Sequence, residues 1–134
     1  MEKIVSLWIV EAVLAPICEP RDPVYQELSS VDGESEAAVK AVLKKYVRPY
    51  FDSFDERSQV LIKDSVSYCT MDENLSFGHT FDALGIPFEP PHEIRIFYRW
   101  LKDEIAPDWD IDVKTCVYTD DLSVAHRLRR KRLD

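Results

Sequence analysis

The chain has 134 residues with 25 acidic and 17 basic side chains, so its formal net charge at pH 7 is −8. This length predicts a single domain over residues 1–134, able to bury a core without disulfides or a metal. An apolar fraction of 46% and only three glycines exclude the disordered and collagen-like classes. Because negative charge repels phosphate backbones and anionic lipid, it disfavours nucleic acid and membranes as ligands and favours a basic protein partner.

The cysteines and the first apolar segment bear on the compartment. Cys18, Cys69 and Cys116 lie far apart and none belongs to a C-x-x-C pair, which predicts buried, reduced thiols rather than a disulfide framework or a zinc finger. The apolar segment 4–15 is too short to cross a bilayer and contains Glu11, so we expect core rather than a membrane anchor or signal peptide. Both observations favour a cytoplasmic protein.

Two helices are predicted in the first third of the chain. The segment 2–14 is apolar on nearly all sides; its β-branched residues favour a strand and its end favours a helix, and we predict a helix. An irregular stretch should follow because of the prolines at positions 16, 20 and 23. Apolar residues at helical spacing predict a second helix over 36–47, ended by Pro49.

A third helix and a long loop follow. Ser53 and Glu56 match a capping box, and the inner face of the third helix is predicted to carry Phe54, Leu61, Ser65, Val66 and Cys69. Residues 70–91 are predicted to form a loop with one short turn, closed by Gly85 in a left-handed conformation. Loops of this length in small domains are often functional.

The last third predicts two helices and one strand. The spacing of apolar residues predicts a helix over 91–105, although the first residues after Pro91 also alternate as in a strand. Residues 109–118 alternate cleanly and predict a strand that pairs with 4–10. A final helix is predicted over 120–132, with acids at its start and bases at its end. These elements indicate a mainly α fold of about five helices, with α+β as the alternative.

Alternating aspartates are the most distinctive chemical feature. Together with Pro107 and Lys114, residues Asp108, Asp110 and Asp112 superficially match the nuclease pattern P-D…D-x-K. On a strand, however, the first and last of these carboxylates would lie about 13 Å apart, too far to share a magnesium ion. The pattern therefore predicts either a charged surface that prevents aggregation or a recognition stripe for Lys and Arg of a partner.

Two further features favour other readings. His79 and Asp82 lie three residues apart in the predicted 70–91 loop and could serve a small hydrolase or a metal-dependent enzyme, but no third ligand or activated nucleophile accompanies them. The basic cluster 127–132 supplies too few phosphate contacts for nucleic acid and is expected at a helix end. The apolar first segment leaves a self-associating assembly subunit as a third possibility.

In size, acidity and lack of catalytic motifs, the chain resembles the small cytosolic immunity proteins with which bacteria neutralise a toxin domain, often a basic nuclease. This resemblance implies a non-enzymatic inhibitor that covers the toxin's active site with acidic and aromatic groups. We predict no catalytic residue, no metal and no cofactor; the alternative is the enzyme of the 70–91 loop. The predicted partner-binding residues are Asp108, Trp109, Asp110, Asp112, Asp72, Glu73, Asp82 and Glu89.

Overall fold

Helices form most of the secondary structure in the computed structural model, which describes residues 3–72, 75 and 83–131. Two short strands, β1 (Lys3–Val5) and β2 (Cys116–Tyr118), form a parallel pair. The predicted mainly α class is confirmed. The α-helices whose two ends lie within the described residues are α1 (Leu7–Val13), α2 (Val24–Ser29), α3 (Glu36–Val42), α4 (Arg48–Asp52), α5 (Glu56–Met71) and α6 (Ile94–Ile105).

The N-terminal segment is divided between a strand and a helix, so the predicted continuous helix over 2–14 is wrong. β1 ends at Val5, and Ser6 then caps α1 by accepting a hydrogen bond from the Trp8 backbone N–H at 3.1 Å. The predicted pairing with the 109–118 region is confirmed in a shorter form, with Val5 opposite Tyr118. The β-branched start of the N-terminal segment therefore forms a strand, and its end forms a helix, as the residue types of each part favour.

Proline positions account for two corrections. The stretch predicted to be irregular contains α2, which begins after a cis Asp22–Pro23 peptide and buries Leu28 completely. The second predicted helix does not end at Pro49: α3 passes into a π-helical turn (Leu43–Val47), and α4 restarts at Arg48. Pro49 lies in the first turn of α4, where a missing N–H leaves no helical hydrogen bond unmade.

The long helix α5 packs against α1, α6 and β1. Its cap is Asp55 rather than Ser53, because the Asp55 carboxylate accepts the Ser58 backbone N–H at 2.8 Å. Ile62 faces the core and is completely buried, whereas the prediction that Leu61 lies on the inner face is wrong, since Leu61 is half-buried. Leu61 instead lines a surface groove.

Helix α6 confirms the helical prediction for this region, and it buries Phe97, Leu101 and Ile105. It begins at Ile94 after Glu93, three residues beyond Pro91. Earlier in the chain, Gly85 has φ +69°, as the left-handed turn requires.

The C-terminal region differs most from expectation. Residues 109–113 form no strand, and the predicted helix over 120–132 is replaced by a 3₁₀ helix (Leu122–Arg127) followed by extended chain. That chain is held beside the start of α5: the Asp55 N–H donates to the Arg129 carbonyl at 2.8 Å, and the Lys131 N–H donates to the Ser53 carbonyl at 2.7 Å. Arg127 ends the 3₁₀ helix, whereas Arg129, Arg130 and Lys131 lie on the extended segment that forms the backbone bridge between Phe54 and Arg130.

The three cysteines, all within the described ranges, are free thiols. The prediction that all three are buried is wrong for Cys18 and Cys116, which are half-buried, whereas Cys69 is completely buried. Burial raises the pKa of the Cys69 thiol to about 12 and that of Cys18 to about 11. In the part of the chain that the structure describes, no helix has both the length and the apolar character needed to cross a membrane.

Candidate functional site

Residues 108–112, which we call the acidic loop, follow α6 and display three carboxylates. Asp108, Asp110 and Asp112 are exposed, whereas Trp109 is half-buried and Ile111 is buried. The predicted alternation of outward and inward side chains is therefore confirmed over these five residues, although they form no strand.

Local hydrogen bonds explain why this segment alternates without joining a sheet. The Asp110 carboxylate accepts the N–H of Ile111 at 3.0 Å, and the Asp112 carboxylate accepts the N–H of Lys114 at 3.0 Å. Short aspartate side chains that bond to nearby backbone groups compete in this way with the hydrogen bonds of a strand. Each of these bonds uses only one of the two oxygens, Oδ1, so the other remains to face solvent or a partner.

The acidic loop is anchored to the core through one buried carboxylate. Trp109 Nε1 donates to Asp64 Oδ1 at 2.8 Å, and Asp64, in the middle of α5, is only 3% exposed. Lys3 Nζ on β1 lies 3.5 Å from the same oxygen. Because a buried carboxylate is costly unless it is paired and hydrogen-bonded, these contacts fix the loop, β1 and α5 relative to one another.

Trp109 therefore acts as an anchor as well as a candidate contact. Its ring packs against the hydrophobic core, and the Lys63 ammonium lies 4.9 Å from the ring centroid. A shallow groove of about 280 Å³ separates Trp109 and Asp108 from Arg48. Arg48 is already engaged, since it bonds Asp52 and the Glu104 carbonyl. Within the described ranges, the Asp108 carboxylate makes no hydrogen bond or ion pair.

Asp72 does not join this surface. It is half-buried at the end of α5, where its carboxylate accepts the Tyr68 O–H at 2.7 Å and its carbonyl accepts from Arg95. The hydrogen bond with Asp72, together with burial, raises the pKa of Tyr68 to about 12. Arg95, which bonds Asp72, lies in the first turn of α6, and the acidic loop follows the last turn of this helix. The 12 residues of α6, about 18 Å of helix, therefore separate Asp72 from the loop.

The remaining predicted site residues are dispersed or lie outside the described residues. Glu89 is exposed, and its backbone carbonyl packs so closely on Gly33 that a Cβ there would lie 1.6 Å from the oxygen. Glu73, Asp82 and His79 are outside the described residues. The predicted site is therefore reduced to one compact group, the acidic loop, with Glu89 as a separate exposed carboxylate.

The enzymatic alternative gains no support from the described part of the chain. Within residues 3–72, 75 and 83–131, no three His, Cys, Asp or Glu side chains are grouped so that they could hold a metal ion. The raised pKa values of Cys18, Cys69 and Cys116 leave little reactive thiolate at neutral pH. The loop enzyme stays a prediction, since its His79 and Asp82 are not described.

Asp64 is the residue that sequence reasoning missed. The one feature that could have indicated it is a carboxylate that lies between the buried residues Ile62 and Val66 of a helix. This feature does not indicate that its partner is Trp109, far along the chain. Comparison of the chain with protein-family models, with curated proteins and with solved structures finds no match. The function is therefore inferred from the geometry of the chain itself.

Proposed function

We propose that this protein is a non-enzymatic binding protein that inhibits or sequesters a basic protein partner, with the acidic loop as its docking surface. The observation that carries the proposal is the arrangement of residues 108–112: three exposed aspartates alternate with two inward-facing apolar residues. The aspartates thus face outward, while the inward-facing Trp109 and Ile111 hold the backbone of the acidic loop against the protein.

Anchoring matters because binding is weakened by every group that must be ordered at the interface. The Trp109–Asp64 hydrogen bond and the local bonds of Asp110 and Asp112 order the acidic loop before any partner arrives. A preformed row of carboxylates can then meet Lys and Arg side chains with a small entropic cost. Complementary charge also steers the encounter and speeds association, most strongly at low salt.

The partner class follows from the charge and from the character of the surface. A chain of net charge −8 attracts a basic protein and repels acidic ones, and a partner with a basic active-site cleft would place its cationic groups against the acidic loop. A cytoplasmic, immunity-type protein that neutralises a toxin domain, such as a basic nuclease, has this chemistry. Glu89 is a second exposed carboxylate that a large partner could reach.

Affinity capture with charge-matched variants tests the proposal. Wild-type protein, a loop variant (Asp108→Asn, Asp110→Asn, Asp112→Asn) and a control variant are immobilised and exposed to extract of the native host. The control carries Asp22→Asn, Glu34→Gln and Glu93→Gln, three exposed acids without side-chain bonds among the described residues. Both variants remove three negative charges, so they change the net charge from −8 to −5 equally.

The expected result is a basic protein retained by wild type and by the control but lost from the loop variant. Loss from both variants would show that total charge, rather than the acidic loop, attracts the partner. Retention by the loop variant, or capture of acidic proteins only, would contradict the proposal. Because the substituted side chains are exposed, circular dichroism should confirm that all three proteins are folded.

A further inference from the structure

A second charged surface lies between the start of α5 and the C-terminal segment. It is a groove of about 660 Å³, and it shares no residue with the acidic loop. Three arginines, Arg57, Arg127 and Arg129, line it and are all exposed. The backbone bridge at Phe54 and Arg130 brings this groove together, because it holds the C-terminal segment beside α5.

The guanidinium groups are available for an anion. Within the described ranges, none of these three arginines lies within 4.0 Å of a carboxylate oxygen. Arg129 is also held in place, since its Nη1 donates to the His126 carbonyl and, at 2.9 Å, to the Leu128 carbonyl. Its remaining N–H groups stay available, and the planar fork of arginine is suited to oxygen pairs on phosphate or carboxylate.

One carboxylate, Asp55, also lines the groove. It is engaged with α5, because its Oδ1 accepts the Ser58 N–H at 2.8 Å. Hydrogen bonds from the Ser58 backbone and side chain, and the nearby charges of Arg57 and Arg129, lower the pKa of Asp55. The carboxylate therefore remains charged at neutral pH, and three arginines less one aspartate leave the groove with a net charge of +2.

The floor of the groove is apolar. Val60 and Leu61 lie three and four residues after Arg57, so the three side chains share one face of α5. Both apolar residues are half-buried and line the groove instead of facing the core. A ligand that suits this surface combines a compact double negative charge with an apolar body.

We propose that this groove binds a small organic phosphate, a phosphate monoester carried on an apolar group. A monoester has a charge near −2 above its second pKa of about 6, which matches the net +2 of the groove. Its oxygens would accept from Arg57, Arg127 and Arg129, and its apolar body would lie on Val60 and Leu61. This proposal does not depend on the function proposed for the acidic loop.

A small ligand fits better than a nucleic acid because of the charge of the whole protein. Charges are screened over about 8 Å at physiological salt, so a small anion in the groove interacts mainly with the three arginines. A polyanion extends beyond the groove and meets the surface of a chain whose net charge is −8. Attraction by the three arginines is limited to the groove, whereas repulsion by the rest of the chain acts on every further phosphate. We therefore expect that binding strength does not increase with the length of a polyphosphate backbone.

Nuclear magnetic resonance titration of the full chain tests the proposal with phenyl phosphate and inorganic phosphate as probes at pH 7.5. Amide signals of Ser58, Leu61 and Arg129 should shift saturably, and phenyl phosphate should bind about fivefold more tightly than inorganic phosphate because its ring covers apolar surface. The variant Arg57→Gln with Arg129→Gln should weaken binding about tenfold or more. The variant Arg21→Gln with Arg99→Gln, exposed arginines outside the groove, should bind as wild type.

Leu61→Ser separates the apolar floor from the charges. It should reduce the preference for phenyl phosphate over inorganic phosphate while leaving inorganic phosphate binding unchanged. Lowering the pH to 5 should weaken phenyl phosphate binding, because the ligand becomes a monoanion. Absence of saturable shifts, equal effects of the two arginine variants, or tighter binding of a single-stranded oligonucleotide than of phenyl phosphate would each overturn the proposal. If the double variant does not fold, Arg127→Gln alone should still weaken binding.

Discussion

Two buried serines on α5 allow the effect of a hydrogen-bonded hydroxyl on stability to be compared with that of a hydroxyl without a partner. Ser65 and Ser67 are both completely buried. The Ser65 hydroxyl accepts the backbone N–H of Ser6 at 3.2 Å, at the junction of β1 and α1. The Ser67 hydroxyl has no hydrogen-bond partner within the described residues. The same substitution at the two positions should therefore have opposite effects on stability.

The magnitudes follow from these contacts. Ser65→Ala leaves the buried Ser6 N–H without an acceptor, at a cost of about 1–3 kcal/mol. Ser67→Ala removes a hydroxyl that is buried without a partner, which should stabilise the fold by about 1 kcal/mol. Alanine also favours helix over serine by about 0.5 kcal/mol, but this gain applies to both positions and cancels in the comparison.

Urea denaturation followed by circular dichroism measures both effects, provided that the slope of the transition is unchanged. The unfolding free energies of the two variants should differ by about 2–4 kcal/mol, with Ser67→Ala the more stable. A difference below about 1 kcal/mol, or a destabilised Ser67→Ala variant, would refute the assignment of hydrogen bonds at these positions.

Three further predictions concern the anchor, a close backbone contact and a buried thiol. Trp109→Phe removes the donor to Asp64 and should cost about 1.5–3 kcal/mol by urea denaturation; a cost near zero would contradict the anchoring role. Gly33→Ala should cost about 3 kcal/mol or more by the same assay, because the added Cβ would collide with the Glu89 carbonyl; a fully stable variant would show that this contact is wrong. Burial raises the pKa of the Cys69 thiol to about 12, whereas in the unfolded chain the pKa of this thiol is about 8.5. The stability that the neutral, buried thiol contributes is therefore complete below about pH 8.5 and is lost as the pH rises toward 12. In Cys69→Ala the free energy of unfolding should consequently fall less on alkaline titration than in wild type.

The spacing and alternation of apolar residues predicted those parts of the fold that depend on neighbouring residues of the chain. Helix α6 follows from apolar residues at helical spacing, and the inward placement of Trp109 and Ile111 follows from their alternation with aspartates. The same alternation predicted a strand wrongly, because the side chains of Asp110 and Asp112 bond to their own backbone. Over residues 108–112 the alternation therefore indicates correctly which side chains face inward, but it does not determine whether the backbone pairs.

Apart from the pairing of β1 with the 109–118 region, the long-range contacts could not be predicted from the sequence. The C-terminal segment has the charges of a helix end, yet its backbone bonds to residues beside the start of α5, so 128–131 is extended. The link between Asp64 and Trp109 joins two distant parts of the chain, and neither residue has a local feature that identifies the other. The candidate site was thus located by its charges, whereas its anchor became visible only in the folded chain.

Docking of a basic protein on the acidic loop is tested most directly by the salt dependence of association. Stopped-flow rates for the captured partner should be measured with wild type, with the loop variant and with the charge-matched control between low and physiological salt. We predict that the loop variant associates about tenfold or more slowly at low salt and has a flatter salt dependence, whereas the control stays close to wild type. Equal association rates and equal salt slopes for the loop variant and the control would contradict docking on the acidic loop.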